Sequence, residues 1–147
     1  MLLNKNKKRT YEFQNCEMNL VLENGWVEYI DEDKKKYGLP LAFFREKNGR
    51  GALQISTLTS EYKKFEIKEI LEKNGQANLD LKEDKLKGWK LYETEKNEDG
   101  KYFKYFYLLK PYIVVYATYN CASEYLSDKE PSEAKKIVHS IEVINKK

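Results

Sequence analysis

Two long apolar runs, separated by one Lys-Pro pair, dominate the sequence from Tyr102 to Cys121. Both runs are rich in aromatic and β-branched residues, which are typical of packed strands. Pro111 cannot donate a hydrogen bond to a strand ladder, so it belongs in a turn between the two runs. The segment therefore predicts a β-hairpin, and the rest of the chain must supply whatever covers it.

Alternation along the two runs indicates that both faces of the hairpin are covered. Successive side chains of a strand point to opposite faces of its sheet. A sheet with one solvated face shows polar residues at every second position, but these runs carry apolar or aromatic residues on both faces, with Lys104 as the exception. The longest stretch without a polar residue is far shorter than the roughly 20 residues of a membrane-spanning helix, so we expect no membrane association.

Weaker strand and turn signals precede the hairpin. The strands predicted from alternation and β-branched content are residues 11–22, 26–30, 39–44, 52–58 and 89–95. Turns are predicted at residues 23–25, 47–51 and 97–100, where glycine and asparagine tolerate positive φ angles. We expect a charged loop at residues 31–38 and a long polar loop at residues 76–87.

Two amphipathic helices complete the predicted elements. The first ends before Gly75, and its imperfect apolar stripe consists of Phe65, Ile67, Ile70 and Leu71. The second begins near Glu130 and Pro131, with proline and acid in its first turn. Its apolar stripe, at the spacing i, i+3, i+4 and i+7, consists of Ala134, Ile137, Val138 and Ile141. Residues 143–144 are expected to add a short closing strand or a cap.

These elements predict one α+β domain, an antiparallel sheet with helices packed on its faces. At 147 residues the chain is long enough to bury a sizeable core. We therefore assign residues 11–147 to a single domain. Residues 1–10, which contain a cluster of lysines and Arg9, are assigned to a flexible basic tail.

Charged residues are abundant in the chain, but the numbers of basic and acidic residues are nearly equal. Lys and Arg total 27, Asp and Glu total 24, and the net charge is +3. Nucleic-acid binding usually requires a clustered basic face, whereas these basic residues are spread along the chain, so we expect no nucleic-acid partner. Charge follows Met1, Leu2 and Leu3 at once and leaves no apolar signal core, so a cytoplasmic location is expected.

Few residues of the chain are candidates for catalysis or metal binding, and they are far apart in the sequence. His139 is the only histidine, and a single histidine cannot build a multi-histidine metal site. Cys16 and Cys121 match no metal or redox spacing and are expected to be reduced, buried residues; a disulfide requires two remote segments to meet. The turn at residues 49–51 lacks the ending of a phosphate-binding loop. We therefore expect no enzyme activity, no cofactor and no metal.

Tyrosines and arginines are the residues that point to a binding surface. Twelve tyrosines allow base stacking on a sheet, but no glycine-aromatic RNA-binding pattern accompanies them, so a core with hydroxyl tips reaching solvent is favoured. Only three of the 27 basic residues are arginines. Two of these, Arg45 and Arg50, flank one turn. Because the planar guanidinium is enriched at binding hot spots, they are our candidate partner-binding residues.

The order of elements and several motifs resemble the PsbP/Mog1-like fold. The motifs are Gly25-Trp26, GALQIST at residues 51–57, Gly88-Trp89, VVYATYNC at residues 114–121 and IVHSIEVI at residues 137–144. Over roughly residues 11–144 the chain is similar to small bacterial proteins of unknown function and to related immunity-type or secretion-effector chaperone proteins. The resemblance implies a non-enzymatic protein-binding module without cofactor or catalytic residues, whose partner is a toxin or a secreted effector.

The sequence leaves three alternatives open. The first is a small-ligand-binding protein that uses a tyrosine-lined pocket between sheet and helix. The second is an enzyme, which would require a cleft that gathers His139 with two carboxylates. The third concerns assembly, since an exposed strand edge would allow a homodimer.

Overall fold

The computed structural model describes residues 6–13, 15–29, 41–78, 80–86, 88–126 and 129–145. Within these residues the chain forms ten strands and two α-helices. In chain order they are β1 (Lys7–Glu12), β2 (Cys16–Leu22), β3 (Trp26–Tyr29), β4 (Leu41–Arg45), β5 (Gly51–Thr59), α1 (Ile67–Lys73), β6 (Lys82–Leu86), β7 (Trp89–Glu98), β8 (Lys101–Lys110), β9 (Ile113–Ala122), α2 (Glu130–His139) and β10 (Glu142–Asn145).

The strands form two antiparallel sheets. The larger sheet has seven strands in the order β3-β4-β5-β9-β8-β7-β6, and the smaller has three in the order β1-β2-β10. Every pairing among the described strands is antiparallel. The α+β class predicted from the sequence is therefore confirmed.

The predicted hairpin is β8 and β9, and it lies at the centre of the large sheet. Its register pairs Tyr107 with Tyr116, and Pro111 lies in the turn between the strands. Tyr107 and Leu108 are adjacent, point to opposite faces and both have 0% exposure. The expectation that both faces of the hairpin are covered is therefore confirmed at its centre.

The inner face of the large sheet packs against the small sheet and α2. The apolar stripe of α2 is buried there, together with the inward residues of β2, which are Cys16, Met18, Leu20 and Leu22. Each fully buried aliphatic side chain contributes about 1.5–3 kcal/mol relative to an exposed one. Hydrophobic burial in this layer is therefore the main source of stability.

The outer face of the large sheet packs against α1. The buried residues of this second cluster are Leu71, Tyr92, Tyr105, Tyr107, Leu109 and Val114. Because α1 has only seven residues, or about 10 Å of length, it cannot cover strands of ten residues, which extend about 33 Å. Phe103 and Tyr116 consequently stay partly exposed.

Two predicted boundaries near the N-terminus are wrong. Residues 7–10 do not belong to a tail but form the first part of β1, which pairs with β2 along its whole length. Residues 11–22 are not one strand, because the chain turns between β1 and β2, with the Phe13 amide donating to the Cys16 carbonyl at 2.8 Å. Backbone pairing and Tyr11, which meets the Phe43 ring edge-on at 6.2 Å, hold β1 in place.

The predicted polar loop at residues 76–87 is also partly wrong, because residues 82–86 form the edge strand β6. Its sequence, KEDKL, is charged and exposed because an edge strand with solvent around it need not bury apolar residues. The charged loop predicted at residues 31–38 lies outside the described residues. The closing strand predicted at residues 143–144 is confirmed as part of β10.

Candidate functional site

A cleft of about 350 Å³ lies between α1 and the outer face of β5 and β9. Its apolar wall is formed by Leu58, Phe65, Ile70, Val114 and Tyr116. The cleft exists because α1 is shorter than the strands beneath it and leaves one flank of the sheet uncovered. Phe65 and Ile70 are only partly buried for the same reason.

Hydrogen bonds hold both ends of α1 on the sheet. Before the helix, the Phe65 amide donates to the Pro111 carbonyl at 2.7 Å. After the helix, the buried Gln76 side chain donates to the Tyr116 hydroxyl at 3.2 Å and accepts from the Tyr107 hydroxyl. These contacts satisfy polar groups that would be costly to bury alone. These contacts therefore anchor α1 to the sheet before and after the helix.

An aromatic row extends from the cleft across the outer face of the sheet. The Tyr107 and Tyr116 rings stack with centroids 4.9 Å apart, the Tyr116 and Tyr105 rings with centroids 6.5 Å apart, and the Tyr105 and Phe103 rings with centroids 6.2 Å apart. Burial is the main cause that raises the pKa of Tyr105 and Tyr107 above the ordinary tyrosine value. The row therefore presents neutral phenols and apolar ring surface.

The α1 side of the cleft carries charge. Glu66, Glu69 and Lys73 line it, and the Glu69 carboxylate forms an ion pair with Lys63 at 2.9 Å. Glu66 is the N-cap residue of α1, yet its side chain makes no capping hydrogen bond. The cleft thus combines an apolar floor with two carboxylates at its rim.

Large exposed side chains lie beside this cleft. Leu58, Tyr62 and Tyr112 have 59%, 92% and 39% exposure. The Ser60 amide donates to the Tyr112 carbonyl at 3.0 Å, which brings the chain after β5 against the turn between β8 and β9. An apolar cleft with exposed apolar neighbours is typical of a binding site.

A second group of ionisable side chains lies where α2 crosses β7 and β8. The largely buried Glu93 carboxylate lies 3.4 Å from the ammonium groups of Lys104 and Lys135 and 3.9 Å from Nε2 of His139. Burial lowers the pKa of His139 below 6.5, and the positive charges of Lys135 and Lys104 add to this lowering, while Glu93 and Asp84 oppose it. His139 is therefore neutral near pH 7.

Two carboxylates, Glu93 and Asp84, both act electrostatically on His139. Among the described residues, Glu93 is the one carboxylate found within 4 Å of the His139 imidazole, and the two would form an ion pair only if His139 were protonated. The described residues also contain no group of three or more His, Cys, Asp or Glu side chains arranged to hold a metal ion. His139 packs between α2 and β7, and the expectation of no enzyme activity stays a prediction.

The structure places the two candidate arginines in different environments. Arg45 points to α2, with its guanidinium 3.8 Å from Glu130 and 3.5 Å from Glu133. Arg50 is exposed, and its guanidinium lies 4.4 Å from the centre of the Tyr125 ring. Although Arg45 and Arg50 flank the same turn, their guanidinium groups contact different side chains. Their role in partner binding stays a prediction.

The structure also tests the prediction that both cysteines are buried. Cys16 on β2 and Cys121 on β9 are both buried, as predicted. Neither described α-helix has the length and apolar character needed to cross a bilayer.

Comparison with known proteins identifies similar folds at low sequence identity. No protein-family model matches the chain, and no curated protein matches it. Among solved structures, a protein from Bacteroides thetaiotaomicron gives a TM-score of 0.59 at 16% identity, covering 88% of this chain and 45% of that one. This chain therefore spans less than half the length of that protein.

Two further structures match along nearly their whole length. CyanoP, the cyanobacterial PsbP of Synechocystis sp. PCC 6803, gives a TM-score of 0.58 at 10% identity, covering 97% of this chain and 95% of CyanoP. The fold is PsbP-like. LpqN, a Mycobacterium tuberculosis protein involved in cell envelope biogenesis, gives 0.57 at 11% identity, covering 95% of this chain and 92% of LpqN.

The PsbP-like fold confirms the fold part of the resemblance drawn from the sequence motifs. Likeness at this identity extends to the fold alone, so the relation to immunity-type and effector-chaperone proteins stays a prediction. The sequence analysis allowed a pocket between sheet and helix but did not predict which helix and strands would form it. Its signals in the sequence were the short stripe at residues 65–71, the stop at Gly75 and the excess of tyrosine in the hairpin.

Proposed function

We propose that this PsbP-like protein binds a small apolar ligand in the cleft between α1 and the large sheet, and performs no chemistry on it. The observation that carries the proposal is the cleft itself, about 350 Å³ with an apolar floor. Ligand sites in proteins are concave, mostly apolar and about 300–1,000 Å³ in volume.

The anchoring of α1 at both ends supports the proposal. Gln76 and the Phe65 amide fix the two ends of α1, so the walls need little ordering when a ligand enters. Preorganised walls strengthen binding because less conformational freedom is lost on association. The tyrosine expected to line such a pocket is Tyr116, with Tyr107 behind it in the hydrogen-bond network.

A neutral dye tests the proposal. N-phenyl-1-naphthylamine, which fluoresces in apolar surroundings, is expected to bind with a saturable 1:1 signal. Ile70→Trp fills the cleft and should weaken dye binding by about tenfold or more. Lys68→Trp adds the same ring to an exposed position of α1 outside the cleft and should leave binding unchanged. Equal dye binding by the two folded variants would overturn the proposal.

A protein-binding module is the second candidate. The observation that favours it is the exposure of Leu58, Tyr62 and Tyr112 beside the cleft, because neighbouring exposed apolar side chains mark protein contacts. The partner we propose is another protein, of the toxin or secreted-effector kind, bound without catalysis. Arg50, the exposed candidate arginine, lies just before the start of β5, whereas Leu58 lies near its end, so Arg50 would contact a different part of the partner.

Co-expression with the product of a neighbouring gene tests this second candidate. The two proteins should co-purify in equal amounts, and Tyr62→Glu should abolish the complex without unfolding the chain, because Tyr62 is almost fully exposed. Lys64→Glu, an exposed change in the same segment, is the control. A complex that survives Tyr62→Glu would exclude this surface.

A further inference from the structure

We propose that the ligand of the α1 cleft is an apolar organic cation, a small molecule with an alkyl or aryl body and an ammonium group. This inference rests on the proposed ligand-binding function and names the class of ligand. The observations behind it are the two carboxylates and the two aromatic rings, Phe65 and Tyr116, that line the same apolar cavity.

The carboxylates are placed at one end of the cleft. Glu66 precedes the first turn of α1 and Glu69 lies one turn later, whereas Lys73 lies about 6 Å further along the axis. Lys63 pairs with Glu69 at this end, so the start of α1 carries two carboxylates against one ammonium group and is the negative end of the cleft. The partial positive charge of a helix N-terminus is at most about half a charge, which two carboxylates exceed.

Glu66 is the carboxylate that a ligand can neutralise. Its side chain makes no capping hydrogen bond and no ion pair within 4 Å is found for it in the described part of the chain, although the Lys63 ammonium interacts with it electrostatically. Glu69 is engaged with Lys63 at 2.9 Å, but both groups are substantially exposed, so that pair contributes little stability and can rearrange. An ammonium group at this end would pair with Glu66 and share Glu69.

The aromatic rings favour the same charge. A cation is attracted to the face of an aromatic ring, and the attraction increases as water is removed. An anionic ligand would meet two carboxylates at the mouth, and a neutral ligand would desolvate the Glu66 carboxylate without providing a partner. The cleft should therefore bind a ligand that carries a positive charge next to an apolar group more tightly than an anionic or a neutral ligand.

A pair of probes with the same shape and different charge tests the inference. Choline and its neutral analogue 3,3-dimethylbutanol are titrated into the isotope-labelled protein, and the amide resonances of Ile70 and Tyr116 are followed. Choline is expected to bind about tenfold more tightly than the alcohol. The double variant E66Q/E69Q should reduce this ratio to about one, while binding of the alcohol is retained.

A matched variant distinguishes the effect of the carboxylates that line the cleft from the effect of the protein's net charge. E61Q/E72Q removes two carboxylates of the same segment that do not line the cleft, and it should preserve the preference for choline. Equal affinity for the two probes in the unmodified protein would overturn the inference and leave the ligand-binding function standing. Loss of the preference in E61Q/E72Q would also overturn it. Failure of the neutral dye, choline and the alcohol to bind would instead reject the proposed function itself.

Discussion

The Tyr119 hydroxyl donates a hydrogen bond to the Glu130 carboxylate at 2.8 Å, beneath the first turn of α2. The Glu130 side chain has 0% exposure and also accepts the backbone amides of Arg50 at 2.8 Å and Gly51 at 2.6 Å. The Arg45 guanidinium, 3.8 Å away, supplies positive charge. One buried carboxylate thus joins α2, β9 and the turn between β4 and β5.

Replacing this carboxylate should destabilise the protein strongly. In Glu130→Gln the amide nitrogen cannot accept a hydrogen bond, so at least one of the buried donors loses its partner, and the Arg45 charge keeps only Glu133 as a counterion. We expect a loss of about 3 kcal/mol in the free energy of unfolding, measured by urea denaturation. Glu124→Gln, an exposed change just before α2, should cost less than about 0.5 kcal/mol. Equal midpoints for the two variants would contradict the assignment.

The hydroxyl of Tyr107 should stabilise the docking of α1. Tyr107→Phe leaves the buried Gln76 carbonyl without its donor and removes the acceptor of the Asn74 amide, which lies at 3.3 Å. We expect a loss of about 1–2 kcal/mol and faster hydrogen exchange of the α1 amides than of the β8 and β9 amides. Tyr62→Phe, at an exposed position, should change neither quantity. Uniform acceleration across α1, β8 and β9 would mean that the hydroxyl supports the whole fold instead.

The elements that the sequence predicts well are those whose residue pattern is local. The hairpin from Tyr102 to Cys121 is apolar along both arms, and α2 repeats its apolar residues with helical spacing, so both could be placed before the structure was known. The strands β1 and β6 were missed because they lie at sheet edges and bury little of their own surface.

The candidate site was harder to predict because it depends on distant segments. The cleft forms where a seven-residue helix docks on strands that are separated from it in sequence, and no local pattern gives that position. The ion-pair partners of Arg45 lie on α2, where Glu130 is 85 positions further along the chain. Packing between layers, rather than strand pairing, decided this contact.

Lowering the pH should destabilise the protein through His139. Burial lowers its pKa in the folded state below the unfolded value of 6.5, so the unfolded chain binds the proton more readily. The contribution is fully present above pH 6.5 and is lost as the pH falls toward the folded pKa. His139→Gln should therefore flatten the dependence of the urea midpoint on pH in this window. The charged groups that act on His139 are Glu93, Lys104, Lys135 and Asp84, and an unchanged slope in His139→Gln would contradict the prediction.

The start of β5 should tolerate no side chain larger than hydrogen. A Cβ atom at Gly51 would overlap the backbone carbonyl oxygen of Asn120 and lie 2.9 Å from Cβ of Cys121, both on the paired strand β9. Because backbone atoms cannot move aside as a flexible side chain can, Gly51→Ala should cost about 1–3 kcal/mol and strain the adjacent amide contact to Glu130. Gln54→Ala, an exposed change on the same strand, is the control. Urea denaturation of both variants checks the prediction, and a Gly51→Ala protein as stable as the control would show that the strands can separate at this point without loss.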